Sequence, residues 1–563
     1  MRSGKAIIIG IASFITAASA TADGVRYTLS PVIENHALKA LAVEMVLTGE
    51  ADGETEIDLP NAWGGKRELW RGISEFRISG EGLGAVAGSE PWRKIIRHAP
   101  NSVLTVRYRV SQFWAGDPAA GNSNEYRPII RQSYFQVIGH TIFAQPKWSL
   151  ATQTTFAFSG MPKEWTIASD LEHNAGALML GDMLESVIVG GDFRVVKAGL
   201  LRVAIRGAWP FSDADFTKRL EPIIASHHKF WGDPPAPFLV TVLPLLAPPG
   251  HRSIGGTGLG DAFAFLATTN ADERNLTRIL AHEHLHSWIP RRIGAMPQPN
   301  DEVDYWLSEG FTDFHTVRLL LRDGTWTVED AVKAYNDVMW TYAFSPARNY
   351  TNERIARDFW SDFTTGEMPY KRGFLFAALA DDRVRKATKG AKDLDDVVLA
   401  MRAQADKRGI GPLARDLFTA IMKGLGADPS SDIEAFVRKG QTIALPEDSL
   451  APCGPVTTSD IAEFDRGFDG MRTIKNENRA AGVDPEGPAY RAGLREGMRI
   501  LKLDLSEGGD SRKELVYQVL AEGETREIRY LPEGKRRFTV QEVKLDAGFD
   551  RKACSARLSG EGR

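Results

Sequence analysis

The sequence predicts a multidomain α+β protein, with an N-terminal antiparallel β domain, a mainly helical second domain and a smaller C-terminal module of short strands. Three observations predict it. The chain has 563 residues, enough for three or four domains at roughly 150 residues each. Its apolar residues alternate with a period of two in the first third and follow helical spacing later. Two polar, proline-containing connectors divide it. With 43% hydrophobic and 25% charged residues the composition is globular, which excludes disordered and collagen-like chains. Lys and Arg number 69 against 73 Asp and Glu, a net charge of -4. No global charge therefore draws the chain to nucleic acid or anionic lipid, and any partner is recognised by a local site.

Residues 1–22 read as a signal peptide. Arg2 and Lys5 precede an apolar run, Ala6 to Ile15, and the small residues Ala18, Ser19, Ala20, Thr21 and Ala22 follow. That core is much shorter than the roughly 20 residues that span a bilayer. Cleavage after Ala20 or Ala22 is expected to leave a periplasmic or secreted protein with no integral membrane segment. The only two cysteines, Cys453 and Cys554, are an even number in an oxidising compartment and bracket one module, so a disulfide between them is expected.

Residues 23–235 form the expected β domain. Leu104, Val106, Tyr108 and Val110 alternate with Thr105, Arg107 and Arg109, the pattern of a half-buried strand. A helical stretch from Asp213 to Trp231 runs into Gly232, Asp233, Pro234, Pro235 and Pro237, which cannot continue it. Residues 236–446 form the second domain: an apolar strand from Phe238, a glycine-rich turn over Gly255–Gly260, then long helical patterns. After the connector Glu447–Thr458, residues 455–548 form the third module, followed by a polar basic tail.

The chemistry lies in Ala281-His-Glu-His-Leu-His-Ser-Trp288. His282 and His286 are four apart, so both imidazoles face one side of a helix and reach one metal ion, while Glu283 addresses a water on it. Leu276, Ile279 and Leu280 supply the buried stripe of such a helix. In Tyr305-Trp-Leu-Ser-Glu-Gly-Phe-Thr-Asp313, Glu309 and Asp313 are also four apart. Glu309 completes three protein ligands and leaves a position for water, the pattern of a catalytic zinc. Asp313 is expected to orient a ligand histidine. Zinc lowers the pKa of water, Glu283 takes the proton, and a carbonyl is attacked.

The runs HEHLHSW, WLSEGFTDF and Met368-Pro-Tyr-Lys-Arg-Gly373 resemble the glutamate-ligand zinc peptidases, and most closely the glycyl aminopeptidase family with its PDZ module. The resemblance implies a thermolysin-like catalytic domain, zinc on His282, His286 and Glu309, Glu283 as general base, and a peptide or protein substrate. It implies that Tyr370 is the phenol that stabilises the oxyanion. Glu486-Gly-Pro-Ala-Tyr-Arg-Ala-Gly-Leu-Arg-Glu-Gly-Met-Arg-Ile500 resembles a PDZ signature, which implies possible capture of a peptide C-terminus; packing or regulation is the alternative.

One departure stands out. Related aminopeptidases carry Gly-Gly-x-Glu ahead of the zinc helix, and its glutamate binds the substrate amine. Here the glutamate position falls on Gly258, with Asp261 three residues out of register. An aminopeptidase-like enzyme, an endopeptidase and a non-catalytic peptide-binding protein are therefore the competing readings. The glycine run lacks the G-x-G-x-x-G spacing of a phosphate cradle. His284, His227 and His228 are expected at the surface, and Trp288, Phe374, Leu375, Ala378 and Leu379 in the core.

Overall fold

In the computed structural model of the chain, the described residues are 24–561 except 85, 89, 122–125, 174–177, 249, 298–299, 409–411 and 504–508. The signal peptide expected over residues 1–22 lies outside them. The chain divides into two units. One takes in the described residues up to Thr217 with Ala236–Asp272, and the other takes in Lys218–Pro235 with the described residues from Glu273 onward. No helix among the described residues is long and apolar enough to cross a membrane.

The first unit is built of sheets. Its largest has six strands in the order Leu178–Met179, Gln153–Phe158, Gly24–Glu34, Ala37–Thr48, Val103–Val110 and Ile73–Ser79. In Val103–Val110 the alternation works as the period of two requires: Leu104, Val106, Tyr108 and Val110 are buried. The domain is not wholly antiparallel, because Gly24–Glu34 runs parallel to Gln153–Phe158. Strands so distant in sequence are joined by crossovers, not hairpins, which frees their direction. A second, five-stranded sheet has the order Arg194–Ala198, Leu201–Ile205, Phe238–Pro244, Ala262–Ala267 and Ile254–Leu259. Its last strand corrects the expected glycine-rich turn. Residues Gly255–Leu259 pair in antiparallel register with Ala262–Leu266, and Gly258 stands opposite Phe263. Glycine is needed there for space, since a Cβ on Gly256 would lie 2.3 Å from the Phe263 ring. The turn itself is Gly260-Asp261, with Gly260 at φ 59°.

The second unit is mainly helical. The motif helix Glu273–Leu285, the acidic helix Tyr305–Arg322, the helix Val328–Phe344 and the tyrosine helix Met368–Ala387 surround one core that includes Trp288, Trp306, Phe311, Phe314 and Phe374. The acidic and tyrosine helices cross at two glycines. A Cβ on Gly310 would fall 2.2 Å from Gly373 Cα, and one on Gly373 would fall 2.0 Å from Trp306 O. Arg372 beside this crossing is buried, and its guanidinium donates to the carbonyls of Arg348, Tyr350 and Val437.

Residues after Cys453 form a small module and then return. Val456–Phe464 pairs with Glu533–Val543, and Arg499–Ile500, Leu515–Ala521 and Glu524–Tyr530 make a three-stranded sheet. Its core holds Phe468, Leu494, Ile500, Tyr517 and Val519. The module packs on Val328–Phe344, where Phe344 meets Phe538 at 4.7 Å and Asn336 exchanges two hydrogen bonds with the Val543 backbone. The expected basic tail is instead a helix, Arg551–Ser559, with Cys554, Leu558 and Ser559 buried. This closing helix lies against the acidic helix. Arg318 donates to Asp395 at 2.7 Å, Asp381 at 2.9 Å and Leu558 O at 3.3 Å. Arg322 donates to Ser559 O and Asp395, and Arg557 to Asp381. Buried charges persist only when so paired, which is why the arginines of this contact can lie against the body although Arg551 and Lys552 at the start of the helix stay exposed. A disulfide joins Cys453 to Cys554 with Cα atoms 4.7 Å apart.

Candidate metal centre

His282 and His286 sit on the motif helix and the turn that ends it, four residues apart and on one face. Glu309 and Asp313 stand on the same face of the acidic helix, one turn apart. The two faces meet. His282 Nε2 is 3.1 Å from His286 Nε2 and 3.2 Å from Glu309 Oε2, and His286 Nε2 is 3.3 Å from Glu309 Oε2. Donor atoms of His282, Glu283 and His286 also lie within 4.8 Å of one another.

Each of the three converging groups is held by its other polar atom. His282 Nδ1 donates to Asp313 Oδ1 at 3.0 Å, and His286 Nδ1 donates to the carbonyl of Ile289 at 2.7 Å. Ser308 Oγ donates to Glu309 Oε1 at 3.1 Å. A carbonyl only accepts, so His286 carries its proton on Nδ1 and turns the bare Nε2 lone pair inward. Asp313 imposes the same tautomer on His282 when that ring is neutral. The triangle fits a tetrahedral ion: donors about 2.0–2.1 Å from a zinc are about 3.3 Å from one another.

The charges follow from burial and pairing. For Asp313, burial favours protonation, but the adjoining Arg278 and His282 outweigh it and hold the carboxyl well below its ordinary range. Glu309 is held low in the same way, against burial, by His286 and His282. Burial disfavours the charged form of both histidines, yet the carboxylates beside them raise their pKa values. Glu283 differs: burial pushes it up more than the two histidines pull it down. It is the acid of the group most ready to hold a proton.

Tyr370 lies in the first turn of the tyrosine helix, its ring 5.8 Å from that of His282. Thus His282, Glu283, His286, Glu309, Asp313 and Tyr370 are brought together from three helices. Sequence reasoning missed Arg278, whose Nη2 donates to Asp313 Oδ1 at 2.8 Å. Its position one turn before His282 on the same face was the available signal. It also missed Ser308 and Ile289. His284, His227 and His228 are corrected from surface to interior. All three are buried, and His227 Nδ1 shares a hydrogen bond of 2.9 Å with His284 Nδ1. The face of the motif helix opposite the metal-facing side packs on the helix ending at Trp231, so it is not a solvent face. Trp288 packs there too, its indole donating to Asp233 at 2.6 Å.

Residues 275–372 match a family described as M61 glycyl aminopeptidase; the matched stretch holds all six of these residues. No curated protein matches the sequence. Among solved structures, an aminopeptidase N family protein from Idiomarina loihiensis is similar with a TM-score of 0.65 at 15% identity, over 95% of this chain and 100% of that one. An M1 zinc metallopeptidase from Deinococcus radiodurans gives a TM-score of 0.48 at 16% identity, over 75% of this chain and 95% of that one. The first likeness shows a shared fold along nearly the whole of both chains.

Proposed function

We propose that this chain, matched over its metal-centre segment by the M61 glycyl aminopeptidase family, is a zinc-dependent peptidase with aminopeptidase-like action, exported to the periplasm or the medium. The observation that carries the reading is the triangle of His282 Nε2, His286 Nε2 and Glu309 Oε2, with every outer atom already bonded. Three protein donors, two imidazoles and a carboxylate, are the donor set of a catalytic zinc. Zinc bound there supplies Lewis-acid polarisation of a peptide carbonyl and acidifies a water.

The remaining work falls to the chain. Glu283 takes the proton of the attacking water and passes it to the leaving amine; its burial favours the protonated form it holds between those two steps. Tyr370 donates its phenolic hydrogen to the carbonyl oxygen as negative charge grows on it. Asp313, with Arg278 behind it, keeps His282 in one orientation through the cycle.

An endopeptidase is the second reading, and Gly258 favours it, because no carboxylate stands at the position where an aminopeptidase glutamate would anchor the amine. The experiment compares cleavage of one peptide library with free and with acetylated amino termini, using Glu283→Ala as the blank. Stepwise loss from free ends alone supports an aminopeptidase, and internal cuts in both sets support an endopeptidase. No difference from the blank would refute the enzyme and favour a peptide-binding protein.

Residues 455–548 are proposed as a PDZ-like module that packs against the catalytic helices instead of capturing a peptide C-terminus. Capture of a carboxylate needs free backbone amides in the loop and an extended strand after it. Here Gly467 N donates to Asp465 Oδ1 at 2.8 Å, and the residues that follow form a helix, Gly470–Lys475.

A further inference from the structure

The helical body of the second unit hides its apolar side chains almost completely. Between Glu273 and Gly470 the exposed large hydrophobics among the described residues are two, Trp360 at 51% and Phe363 at 82%. Phe363 is the most exposed large hydrophobic residue described anywhere in the chain. Exposed apolar residues scattered singly are ordinary; these two stand three residues apart on one short segment beside the site, which is where binding surfaces are sought.

That segment is tied to the walls of the metal centre at both ends. Asn352 Nδ2 donates to Val303 O at 2.6 Å, the Phe359 ring packs edge-on against Tyr305 at 4.9 Å, and Trp360 Nε1 donates to Glu302 Oε1 at 3.0 Å. Tyr305 stands one helical turn before Glu309 on the same face. At the other end, Asp362 caps the short helix Phe363–Gly366, and the tyrosine helix begins at Met368 and carries Tyr370. Gly366 seals the segment on itself, since a Cβ there would lie 2.9 Å from Phe359 O. Trp360 and Phe363 are thus held outward on a fixed frame that runs from the acidic helix to Tyr370.

We propose that Trp360 and Phe363 form an aromatic lip of the catalytic groove and bind a large apolar side chain of the substrate peptide close to the bond that is cut. The inference rests on the peptidase reading above. Continuity with the site selects this occupant: the segment that bears the lip runs from the turn before Glu309 to the turn that bears Tyr370. An open rim, unlike a closed pocket, accepts a side chain that arrives on an extended chain. The carboxylates of Asp301 and Glu302 beside it set it against an anionic lipid surface.

The test is competition within one peptide mixture carrying Leu, Phe or Gly at each position flanking the cut. It compares the unsubstituted protein, Trp360→Ala, Phe363→Ala, the double variant, Phe363→Leu, and Val516→Ala as an exposed apolar residue of the module. The kcat/KM ratio for apolar over glycine peptides is expected to fall about tenfold in each alanine variant. It should fall further in the double variant, be largely retained in Phe363→Leu and be unmoved in Val516→Ala. Matched zinc content and circular dichroism separate this from misfolding. An unchanged ratio in the double variant overturns the inference. So does an unchanged ratio with a dimer lost by light scattering, which assigns the lip to a second copy of the chain. Absence of turnover above the Glu283→Ala blank in the unsubstituted protein removes the peptidase reading, and the inference with it.

Discussion

Replacing Gly373 with alanine tests whether the crossing of the acidic and tyrosine helices sets the geometry of the metal centre. The added Cβ would lie 2.0 Å from Trp306 O and 2.7 Å from Gly310 Cα. A carbon and a carbonyl oxygen relax to about 3.3 Å, so the helices must part by about 1 Å. Both contacted groups are backbone, and no side chain can swing away instead. Alanine gains about 1 kcal/mol in helix propensity over glycine, whereas overpacking costs about 1–3 kcal/mol. We expect a net loss of stability of about 0–2 kcal/mol. The rate suffers more, because Tyr370 lies one turn before the crossing and Glu309 next to Gly310. A displacement of about 1 Å in reacting groups costs about a hundredfold. The assay is kcat on the best peptide of the library, with a thermal melt on the same sample. Gly424→Ala is the comparison, because a Cβ there meets nothing within 4 Å; it should gain up to about 1 kcal/mol with no change in rate. If Gly373→Ala matched Gly424→Ala in both measurements, the role given to the crossing would be wrong.

Four further outcomes are expected. Tyr370→Phe should lose about two to three orders of magnitude in kcat with zinc content unchanged by elemental analysis; retained turnover would remove Tyr370 from the mechanism. Asp313→Ala should weaken zinc binding about 10–100-fold in competition with a chromophoric chelator, and an unaltered affinity would end its orienting role. Asp170, in the first unit, has its carboxyl pushed up by burial to about 7. The folded state then holds a proton that the unfolded chain releases, so stability falls as pH rises from about 4 to 7. Asp170→Asn should lift that penalty, at most about 4 kcal/mol and less where water reaches the group; a melting-temperature gap that fails to widen from pH 4 to pH 8 would contradict this. Replacing Cys453 and Cys554 by serine should cost roughly 4–5 kcal/mol on the loop-entropy account, read by denaturant unfolding, and a loss below about 1 kcal/mol would show that packing alone holds the closure.

What was legible in the sequence was local. The spacing of His282 and His286, and of Glu309 and Asp313, is a property of single helices, so the helical period placed each pair on one face before any tertiary contact was known. Tyr370 carried no such signal and entered through resemblance alone, because its place beside His282 depends on two glycines packing across helices. Tertiary burial of polar segments was illegible for the same reason. His227, His228 and His284 are interior because one helix packs on another, and one side of the Arg551–Ser559 helix is buried because acids far away in sequence meet its Arg557 and the arginines of the acidic helix. Hydrophobic periodicity cannot report an interface made of ion pairs. The glycine run at Gly255–Gly260 misled in the opposite sense. Its breakers suggested a turn, whereas the backbone ladder with Ala262–Leu266 needs no side chains.

The closing helix also imposes a schedule on synthesis. Arg318, on the helix that carries Glu309, takes its carbonyl partner from Leu558, 240 residues further along the chain. At about 5–20 residues per second, a ribosome needs about 12–48 seconds to bridge that distance. Until then Arg318 lacks that partner, Cys453 has no sulfur to join, and the helical body is unfinished. A chain assembled this way withholds its completed form until synthesis has gone well past the metal centre, and an interrupted product lacks the part that finishes it.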